Sequence, residues 1–570
     1  MDYKAIYAQW IRDFDEDTRQ ELLAIGGDEK EIEERFYKDL DFGTGGLRGI
    51  IGAGTNRMNK YTVSKATQGL AVYILKSGPK AKNRGVAIAY DSRRFSKEFA
   101  QTAALVLCGN GIKTYIFESL RPTPELSFAV RRLGCIAGIV VTASHNPPEY
   151  NGYKVYWEDG AQVPPPWDQA IINEVAAVRD YSAIHPMDIE SASRAGLYNI
   201  IGQEIDDAFI HEVMAQSKKR DLNKEMADDF AVVYTPFNGA GNVLVRRALA
   251  EAGFTKVYIP PEQENPDPNF TTVGYPNPES PAAFDLALKL MDEKKADIVV
   301  ATDPDCDRVG VCIRKNGEPL YFSGNVIGVL LTEFVLSELS NKGTLPKNAA
   351  VISTIVSTNM TKTLCAFFNT AYYEVLTGFK FIGQLINEFE ESGKHQVIMG
   401  FEESIGYLIG TFARDKDAVT ATMLICEMAA AYKKRGMDLD DALSELYEKY
   451  GYFKETTINM SLPGLDGVAR IRDIMDRLRQ NPPAVIGAVP IVEFRDYKTQ
   501  QITTLEGIRP TNLPVSDVLY YVLSDDSWFC VRPSGTEPKI KIYIGVQAKT
   551  SAEADSALAE MVSGVTKIIE

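Results

Sequence analysis

Three similar blocks of sequence constrain the fold of this 570-residue chain more than any other feature. Each block holds three short runs of apolar, mostly β-branched residues, separated by stretches of helical character. The runs are 85–94, 113–126 and 135–147 in the first block, 230–242, 255–267 and 296–308 in the second, and 349–359, 371–383 and 395–407 in the third. Each block therefore predicts strand–helix–strand–helix–strand, the pattern of a parallel sheet covered on both faces.

The most unusual polar sequence of each block follows the end of its third strand. Open α/β sheets bind ligands at the carboxyl ends of their strands. We therefore expect the segments around Ser144, Asp303 and Glu402 to face a shared cleft.

Residues 446–570 have a different pattern, with five β-like runs and a closing amphipathic helix. This pattern predicts a smaller α+β domain. The predicted fold class is α/β, with three related mixed α/β domains and a C-terminal α+β domain. The predicted boundaries are 1–205, 206–320, 321–445 and 446–570. The polar stretches 157–200 and 260–281 are predicted to be insertions or linkers.

Composition excludes several classes of protein. The formal net charge is −16, which argues against a nucleic-acid partner. The seven cysteines are scattered without a CxxC pair, as expected of reduced thiols in the cytoplasm. The N-terminal sequence lacks the apolar core of a signal peptide, and no apolar run has the length of a membrane span. We expect a cytoplasmic protein without a membrane partner.

The sequence DPDCDR, Asp303–Arg308, is the strongest single signal for chemistry. Its three carboxylates at alternate positions can converge on one hard cation. An EF-hand loop would need glycine and glutamate where Arg308 and Arg314 stand. Oxygen ligands alone favour Mg²⁺ over zinc. The alternative is a solvated acidic turn.

The sequence VRPSGTEPKIKIY, Val531–Tyr543, concentrates cationic and hydroxyl groups in a chain of net negative charge. Arg532 offers a bidentate fork, and Ser534, Gly535 and Thr536 offer hydroxyls and backbone N–H groups to an anion. This composition predicts a phosphate-binding loop, and the alternative is a polar hairpin turn.

Four further stretches give weaker signals. In GFEESIGY, Glu402 and Ser404 could bind vicinal hydroxyls, although an ordinary exposed loop explains the stretch equally well. The same holds for LTGFKF (376–381) and RDKD (414–417). In FGTGGLRG (42–49) no strand is predicted before the glycines, so we interpret the stretch as a flexible backbone that carries Arg48 toward an anion, or as a plain glycine-rich turn.

The sequence TASHNPPEYNGYK, 142–154, places Ser144 beside His145. A hydrolase nucleophile is disfavoured because the GxSxG elbow is absent. A helix cap is disfavoured by the Asn-Pro-Pro that follows. Since a Mg²⁺ loop and a phosphate loop are both predicted, we interpret Ser144 as a residue that carries phosphate and supplies a further oxygen to the metal.

The four motifs TASHNP–NGYK, DPDCDR, GFEESIGY and RPSGTEPK, in this order, resemble those of the α-D-phosphohexomutases, most of all the phosphoglucomutase/phosphopentomutase-like branch. With FGTGGLRG they span residues 42 to 541. The resemblance implies a heart-shaped arrangement of four domains, the last similar to the TATA-binding protein.

The resemblance also implies roles for individual residues. Ser144 would be the phosphoserine, with Lys154 as general acid or base, Arg48 near the phosphoserine, and His145 positioning or charge-balancing the loop. Mg²⁺ would be held by the Ser144 phosphate together with Asp303, Asp305 and Asp307. The substrate would be bound by Arg308, Thr377, Gly378, Glu402, Ser404, Lys416, Arg532, Ser534, Gly535 and Thr536.

The activity implied by the resemblance is that of an intramolecular phosphotransferase. It would interconvert glucose 1-phosphate and glucose 6-phosphate through the phosphoserine and a glucose 1,6-bisphosphate intermediate, which would also act as activator. Lys416 resembles the lysine of phosphoglucomutases and favours glucose, whereas some phosphomannomutases have a histidine where Ile405-Gly406-Tyr407 stands. Phosphopentomutase, phosphomannomutase and glucose-1,6-bisphosphate synthase activities remain alternatives, as do a phosphatase and a sugar-phosphate-binding regulator. We expect a monomer or weak dimer that acts on a small phosphosugar.

Overall fold

The computed structural model describes residues 2–43, 45–462, 465–534 and 539–569. The chain forms two compact units. The first comprises the chain up to Ser323 together with Phe379–Arg435, and the second comprises Gly324–Gly378 together with the chain from Gly436.

The α-helices are distributed along the whole chain. Their bounds are α1 Tyr3–Asp13, α2 Glu16–Ala24, α3 Glu29–Phe36, α4 Lys60–Lys76, α5 Ala81–Arg84, α6 Ser96–Gly109, α7 Thr123–Leu133, α8 Trp167–Ala177, α9 Ile189–Arg194, α10 Gln203–Ala215, α11 Arg220–Glu225, α12 Gly241–Ala252, α13 Pro261–Glu264, α14 Asp285–Lys294, α15 Gly324–Asn341, α16 Met360–Phe367, α17 Phe379–Ser392, α18 Ala418–Lys434, α19 Leu439–Tyr450, α20 Leu465–Gln480 and α21 Ser551–Ile569. Short 3₁₀ turns occur at Tyr181–Ala183 and Pro281–Phe284.

The β-strands are short except near the C-terminus. Their bounds are β1 Gly46–Ile50, β2 Val86–Tyr90, β3 Thr114–Phe117, β4 Ala137–Val141, β5 Tyr150–Trp157, β6 Tyr198–Ile201, β7 Ala231–Thr235, β8 Lys256–Tyr258, β9 Ile298–Thr302, β10 Val309–Lys315, β11 Glu318–Phe322, β12 Ala349–Thr354, β13 Ala371–Val375, β14 Gln396–Glu402, β15 Gly406–Ile409, β16 Tyr452–Ser461, β17 Val485–Ile486, β18 Val489–Asp496, β19 Gln501–Thr504, β20 Gly507–Pro510, β21 Leu519–Leu523, β22 Trp528–Pro533 and β23 Lys539–Ala548.

The first sheet has the strand order β1-β5-β4-β2-β3-β6. Strands β2, β3 and β4 pair in parallel, as the first block predicts, and β6, which was not predicted, adds in parallel beside β3. Strands β5 and β1 extend this sheet by antiparallel pairing. Every residue of β2 and β4 is buried, which explains their continuous apolar sequence.

The second sheet has the order β11-β10-β9-β7-β8. The three strands of the second block, β7, β8 and β9, pair in parallel as predicted. Strands β10 and β11 continue antiparallel from β9, so the segment that follows DPDCDR turns back along the sheet. The DPDCDR segment therefore lies in the tight connection between β9 and β10.

The third block contributes to both units. In the first unit, β14 and β15 form an antiparallel pair followed by the buried helix α18. In the second unit, β12 and β13 pair in parallel. The strand positions of the third block are thus as predicted.

The C-terminal sheet is antiparallel, with the order β16-β23-β22-β21-β18-β19-β20. Side chains from α20 and α21 pack with its strands in one hydrophobic core, which includes Met475, Leu478, Phe529 and Val565. The predicted α+β character and closing helix are confirmed, and α20 is an additional helix.

Two sequence interpretations were wrong. Of the two alternatives for 157–200, an insertion or a linker, the linker is wrong, because the stretch forms α8 and α9 and leads into the edge strand β6. The glycine-rich stretch around Arg48 contains strand β1. The backbone of Gly46 has φ +127°, and a Cβ atom there would lie 1.8 Å from the carbonyl oxygen of Tyr153 on β5. Glycine is therefore required for this close pairing of β1 with β5.

Candidate active site

Ser144 lies in the turn that follows β4 and is buried, with 4% of its surface exposed. Its backbone has φ 53°, a left-handed conformation that non-glycine residues adopt at a cost. A relay of hydrogen bonds fixes this conformation. The backbone N–H of Ser144 donates to Thr142 Oγ1 at 2.8 Å, and Thr142 Oγ1 donates to Asp91 Oδ2 at 2.6 Å.

Arg93 holds the rest of the Ser144 loop. Its buried guanidinium pairs with Asp91 at 3.3 Å and contacts the ring of Phe270. The same group donates to four main-chain carbonyl oxygens, those of Ser144, Asn146, Pro147 and Tyr150. One side chain thereby binds both ends of the connection between β4 and β5.

Asp303, Asp305 and Asp307 form a buried acidic cluster, with one oxygen of each within 4.8 Å of the others. Asp303 Oδ2 accepts a hydrogen bond from Ser144 Oγ at 2.7 Å. Oδ1 of Asp305 and Oδ1 of Asp307 have no hydrogen-bond partner among the described residues. Buried carboxylate oxygens without donors are costly, and such oxygens are the ligands of hard divalent cations. The cluster therefore fits a metal ion.

The three carboxyl groups differ in proton affinity. Burial, together with the charges of Asp305 and Asp307, raises the pKa of Asp303 well above its usual range. Burial and Asp305 likewise raise the pKa of Asp307. Burial also opposes ionisation of Asp305, but the adjacent Lys154 ammonium overcomes this effect and lowers the pKa of Asp305.

Two side chains, one from strand β5 and one from helix α7, hold Asp305 in place. Lys154, on β5, donates to Asp305 Oδ2 at 2.8 Å. Thr123, the first residue of α7, donates to the same oxygen from Oγ1 at 3.0 Å, and its N–H donates to the Asp305 carbonyl at 2.9 Å. Lys154 therefore lies beside the acidic cluster, and its role as general acid or base stays a prediction.

Lys416 approaches the acidic cluster from the segment before α18. Its Nζ lies 3.1 Å from Asp307 Oδ2 and 3.0 Å from Asp415 Oδ1. Burial opposes the charge of Lys416, but Asp307 and Asp415 raise its pKa, so the ammonium stays charged. Gly406 makes room for this side chain, because a Cβ atom there would lie 2.1 Å from Lys416 Cδ.

Glu402 ends β14 and is buried, and it accepts a hydrogen bond from Ser404 Oγ at 2.9 Å. Arg308 lies between acidic groups. Burial opposes its charge, but Glu402, Asp307 and Glu279 raise its pKa. Arg308 Nε lies 4.0 Å from Asp307 Oδ1, so Arg308 and Glu402 place charged groups near the acidic cluster. The roles of Glu402, Ser404 and Arg308 in substrate binding stay predictions.

His145 lies next to the Ser144 hydroxyl, with Nδ1 3.3 Å from Oγ. Burial and the positive charges of Arg308 and Arg48 lower the pKa of His145 well below its usual value. The imidazole is therefore neutral at pH 7. It can exchange a hydrogen bond with Ser144, but it does not add positive charge to the loop.

Arg48 is on β1, opposite Gly152 of β5, and is exposed. Its Nη1 donates to Asn146 Oδ1 at 3.2 Å. Arg48 therefore lies at the Ser144 loop, as predicted, although a paired strand positions it rather than a flexible turn.

The remaining predicted site residues are outside the first unit. Thr377 and Gly378 follow β13, and Arg532 and Ser534 lie at the end of β22, all in the second unit. The N–H of Ser534 donates to the Lys539 carbonyl at 2.8 Å. Gly535 and Thr536 lie outside the described residues.

Sequence reasoning missed the residues that support the site, namely Asp91, Arg93, Thr123 and Asp415. They hydrogen-bond to other groups of the protein, among them the Ser144 carbonyl, the Thr142 hydroxyl, the Asp305 carboxylate and the Lys416 ammonium, so no ligand motif marks them. The one available signal was position, because Asp91 and Arg93 directly follow the buried strand β2. In the second sheet, the glycines of NGAG, 238–241, likewise follow the first strand of their block and support the site, because they pack closely against the DPDCDR segment. A Cβ atom at Gly239 would lie 2.5 Å from Pro304 Cα, and one at Gly241 would lie 2.8 Å from Cys306 Sγ.

Sequence models of the four domains of the phosphoglucomutase/phosphomannomutase family match this chain. The alpha/beta/alpha domains I, II and III match residues 39–182, 207–317 and 323–450, and the C-terminal domain matches residues 483–564. These matches cover most of the chain. The chain belongs to the phosphoglucomutase/phosphomannomutase family.

Individual proteins are similar to this chain in sequence or in fold. A phosphoglucomutase of Staphylococcus aureus strain MRSA252 is 37% identical over 528 residues, which are 91% of this chain and 92% of the relative. The open form of parafusin from Paramecium superposes with a TM-score of 0.70 at 17% identity, covering 94% of this chain and 95% of that one. A phosphoglucomutase/phosphomannomutase family protein of Burkholderia thailandensis gives a TM-score of 0.65 at 18% identity, covering 92% and 96%.

Membership of the phosphoglucomutase/phosphomannomutase family confirms the predicted resemblance and the predicted fold class of three related α/β domains followed by a C-terminal domain. The protein is an enzyme of the isomerase class that moves a phosphoryl group within its substrate. The domain boundaries chosen from the sequence stay predictions. Among the described residues, no helix is both long and apolar enough to cross a membrane.

Proposed function

We propose that this family member is a phosphoglucomutase, which interconverts glucose 1-phosphate and glucose 6-phosphate through a phosphate carried by Ser144. The observation that carries the proposal is the hydrogen bond from Ser144 Oγ to Asp303, which places the hydroxyl at the edge of a buried acidic cluster. The 37% identity to proteins named phosphoglucomutase supports glucose as the sugar.

We assign Mg²⁺ to Asp303, Asp305 and Asp307, with a phosphate oxygen on Ser144 as a further ligand. The two carboxylate oxygens without donors and the all-oxygen composition of the cluster support this choice. When bound, Mg²⁺ supplies positive charge that stabilises the transferring phosphoryl group.

The residues around Ser144 have separate tasks in the transfer. Arg93 and the Asp91–Thr142 relay hold Oγ in place, which is the main requirement of phosphoryl transfer. Arg48 adds positive charge at the mouth of the loop. Lys154 exchanges a proton with the sugar hydroxyl that accepts or releases the phosphate. The neutral His145 ring hydrogen-bonds with Ser144 Oγ.

The sugar and its second phosphate bind at different groups. We assign the sugar hydroxyls to Glu402 and Ser404, together with the cations Arg308 and Lys416 and the loop residues Thr377 and Gly378. The phosphate that is not being transferred binds at the loop formed by Arg532, Ser534, Gly535 and Thr536.

One serine serves both transfers. Phospho-Ser144 gives its phosphoryl group to the free hydroxyl of the monophosphate, the bound glucose 1,6-bisphosphate reorients, and its other phosphate returns to Ser144. Glucose 1,6-bisphosphate from solution is therefore the expected activator, because it rephosphorylates enzyme that has lost its phosphate. We place the protein in the cytoplasm, since all seven cysteines are free, buried thiols.

The test combines peptide mass analysis with a comparison of substrates. After incubation with glucose 1,6-bisphosphate, the peptide that contains Ser144 should gain the mass of one phosphoryl group, and Ser144→Ala protein should not. Turnover of glucose 1-phosphate should exceed that of mannose 1-phosphate and ribose 1-phosphate. A preference for ribose or mannose would overturn the choice of glucose, and release of inorganic phosphate would indicate a phosphatase.

A further inference from the structure

Tyr156 joins β5 to the segment that carries Lys416. It lies two residues after Lys154, so both side chains are on the same face of the strand. Tyr156 is fully buried, and its hydroxyl donates to Asp415 Oδ2 at 2.6 Å. The two residues are 259 positions apart in the chain.

Asp415 uses its other oxygen to hold Lys416. Oδ1 accepts from the Lys416 N–H at 2.8 Å and from Nζ at 3.0 Å. Among the described residues, one other carboxylate oxygen lies within ion-pair distance of Nζ, namely Asp307 Oδ2 at 3.1 Å. Asp307 is assigned to the metal. Asp415 is therefore the acidic partner of Lys416 that is not also a metal ligand.

We propose that Tyr156 and Asp415 are positioning residues that hold the Lys416 ammonium at the sugar site, an inference that rests on the sugar-binding role proposed for Lys416. A lysine side chain has many rotamers, and holding it in one of them costs free energy. The pair Tyr156–Asp415 fixes the ammonium on one side, and Gly406 leaves space for the aliphatic stem on another.

The spacing along β5 gives this arrangement a second consequence. Lys154 binds Asp305 and Tyr156 binds Asp415, so one strand sets the positions of the acidic cluster and of Lys416 together. A displacement of β5 would move the metal ligands and the sugar-binding lysine in the same direction. Tyr156 thus acts through Lys416 rather than by touching the substrate.

Tyr153 provides a matched control on the same strand. It is fully buried like Tyr156, but its side chain is on the opposite face of β5, where Thr67 donates to its hydroxyl at 3.1 Å. Tyr153→Phe and Tyr156→Phe each remove one buried hydroxyl from β5. Only the second removes a contact to Asp415.

The experiment is a double-mutant cycle that combines Tyr156→Phe with Lys416→Met. A second cycle replaces Tyr156→Phe by Asp415→Asn, which alters the same chain of contacts at Asp415. Tyr156→Phe should lower kcat/KM for glucose 1-phosphate by roughly tenfold, because a hydrogen bond to a charged group is lost. The loss should appear mainly as a higher KM, since Lys416 is assigned to binding. Tyr153→Phe should stay within about twofold of wild type.

The decisive result is the behaviour of the double variant. If Tyr156 acts through Lys416, Tyr156→Phe should cause no further loss of kcat/KM in protein that already carries Lys416→Met. Asp415→Asn should likewise cause no further loss in that background. Losses that multiply, or a fall in kcat with unchanged KM and a lowered melting temperature, would show that Tyr156 only supports folding. Should wild type prefer another phosphosugar, the proposed function fails while the same cycle, run on that sugar, still tests the coupling.

Discussion

Ser144 Oγ donates to Asp303 Oδ2 at 2.7 Å, although the two residues are 159 positions apart. Each follows the third strand of its own sequence block, Ser144 after β4 and Asp303 after β9. The carboxyl ends of β4 and β9 therefore meet at this contact. In both blocks, the segment after the first strand supports the segment after the third. Arg93, after β2, holds the Ser144 loop, and the N–H of Ala240, after β7, donates to the Pro304 carbonyl at 2.8 Å.

The acidic cluster should bind a divalent cation through Asp305. In protein stripped of metal, Asp305→Asn should weaken the binding of Mg²⁺ or Mn²⁺ by at least about tenfold, since even residues that only support metal ligands contribute that much. Calorimetry on the dephosphorylated protein measures this without turnover. Asp440→Asn is the control, because Asp440 belongs to a second, more exposed acidic cluster. Equal affinities of wild type and Asp305→Asn would contradict the assignment.

Replacement of Arg93 should impair catalysis, although Arg93 is assigned no contact with the substrate. Lysine cannot bind Asp91 and four carbonyl oxygens at once, so Arg93→Lys should release the Ser144 loop. We expect kcat to fall roughly 100-fold, the size of effect that follows from misplacing a reacting group by about 1 Å. Arg94→Lys is the matched control, since Arg94 is exposed and bonds only weakly to the Pro148 carbonyl. An equal kcat for both variants would show that Arg93 does not position Ser144.

The sequence predicts the parallel strands of the three blocks well because each is a short, continuous apolar run. Strands β2, β7 and β12 are buried along their whole length, and burial on both faces leaves a clear pattern. Strands β1 and β5 were missed. They contain Gly46, Arg48, Gly152 and Lys154, whose pairing is fixed by tertiary contacts rather than by local preference.

The residues of the candidate site also fall into those that the sequence predicts and those that it does not. Ser144 and Asp303 belong to compact motifs in which several polar residues follow one strand, so their chemistry is visible locally. Asp415 has no such signal, because its partners are Tyr156, far away in the chain, and the adjacent Lys416. Left-handed backbone at Ser144 and Ile405 was also invisible to residue preferences, since both residue types disfavour it.

Gly406→Ala should disturb Lys416. The added Cβ would lie 2.1 Å from Lys416 Cδ and 2.7 Å from Cγ, so the lysine stem must move. We expect KM for the phosphosugar to rise roughly tenfold, while overpacking lowers the free energy of unfolding by about 1–3 kcal/mol. Gly27→Ala, at a surface turn with no atom within 4 Å of the added Cβ, should change neither quantity. Steady-state kinetics and urea denaturation of both variants decide the point, and an unchanged KM for Gly406→Ala would refute it.

Asp417 should make stability depend on pH in a direction unusual for a carboxylate. It is fully buried at the start of α18, and its carboxylate accepts from the N–H groups of Val419 and Thr420 at 2.9 and 3.1 Å. Burial raises the pKa of Asp417 to about 6, against a partial opposite effect of hydrogen bonds from the Thr420 hydroxyl and from the two N–H groups. In the unfolded chain the pKa is about 3.9. Between these values the folded state binds more protons, so the contribution of Asp417 to stability is full below pH ~4 and is lost as the pH rises to about 6.

Asp417→Asn keeps an oxygen that can cap α18 but removes the titration. Relative to wild type, the variant should therefore gain up to about 3 kcal/mol in free energy of unfolding between pH 4 and pH 7, as follows from about two pKa units. Urea denaturation at a series of pH values measures this difference. Asp188→Asn is the control of opposite sign, because hydrogen bonds from Ser191 lower the pKa of Asp188, an exposed cap of α9. A difference between Asp417→Asn and wild type that does not change with pH would show that Asp417 remains ionised in the folded protein.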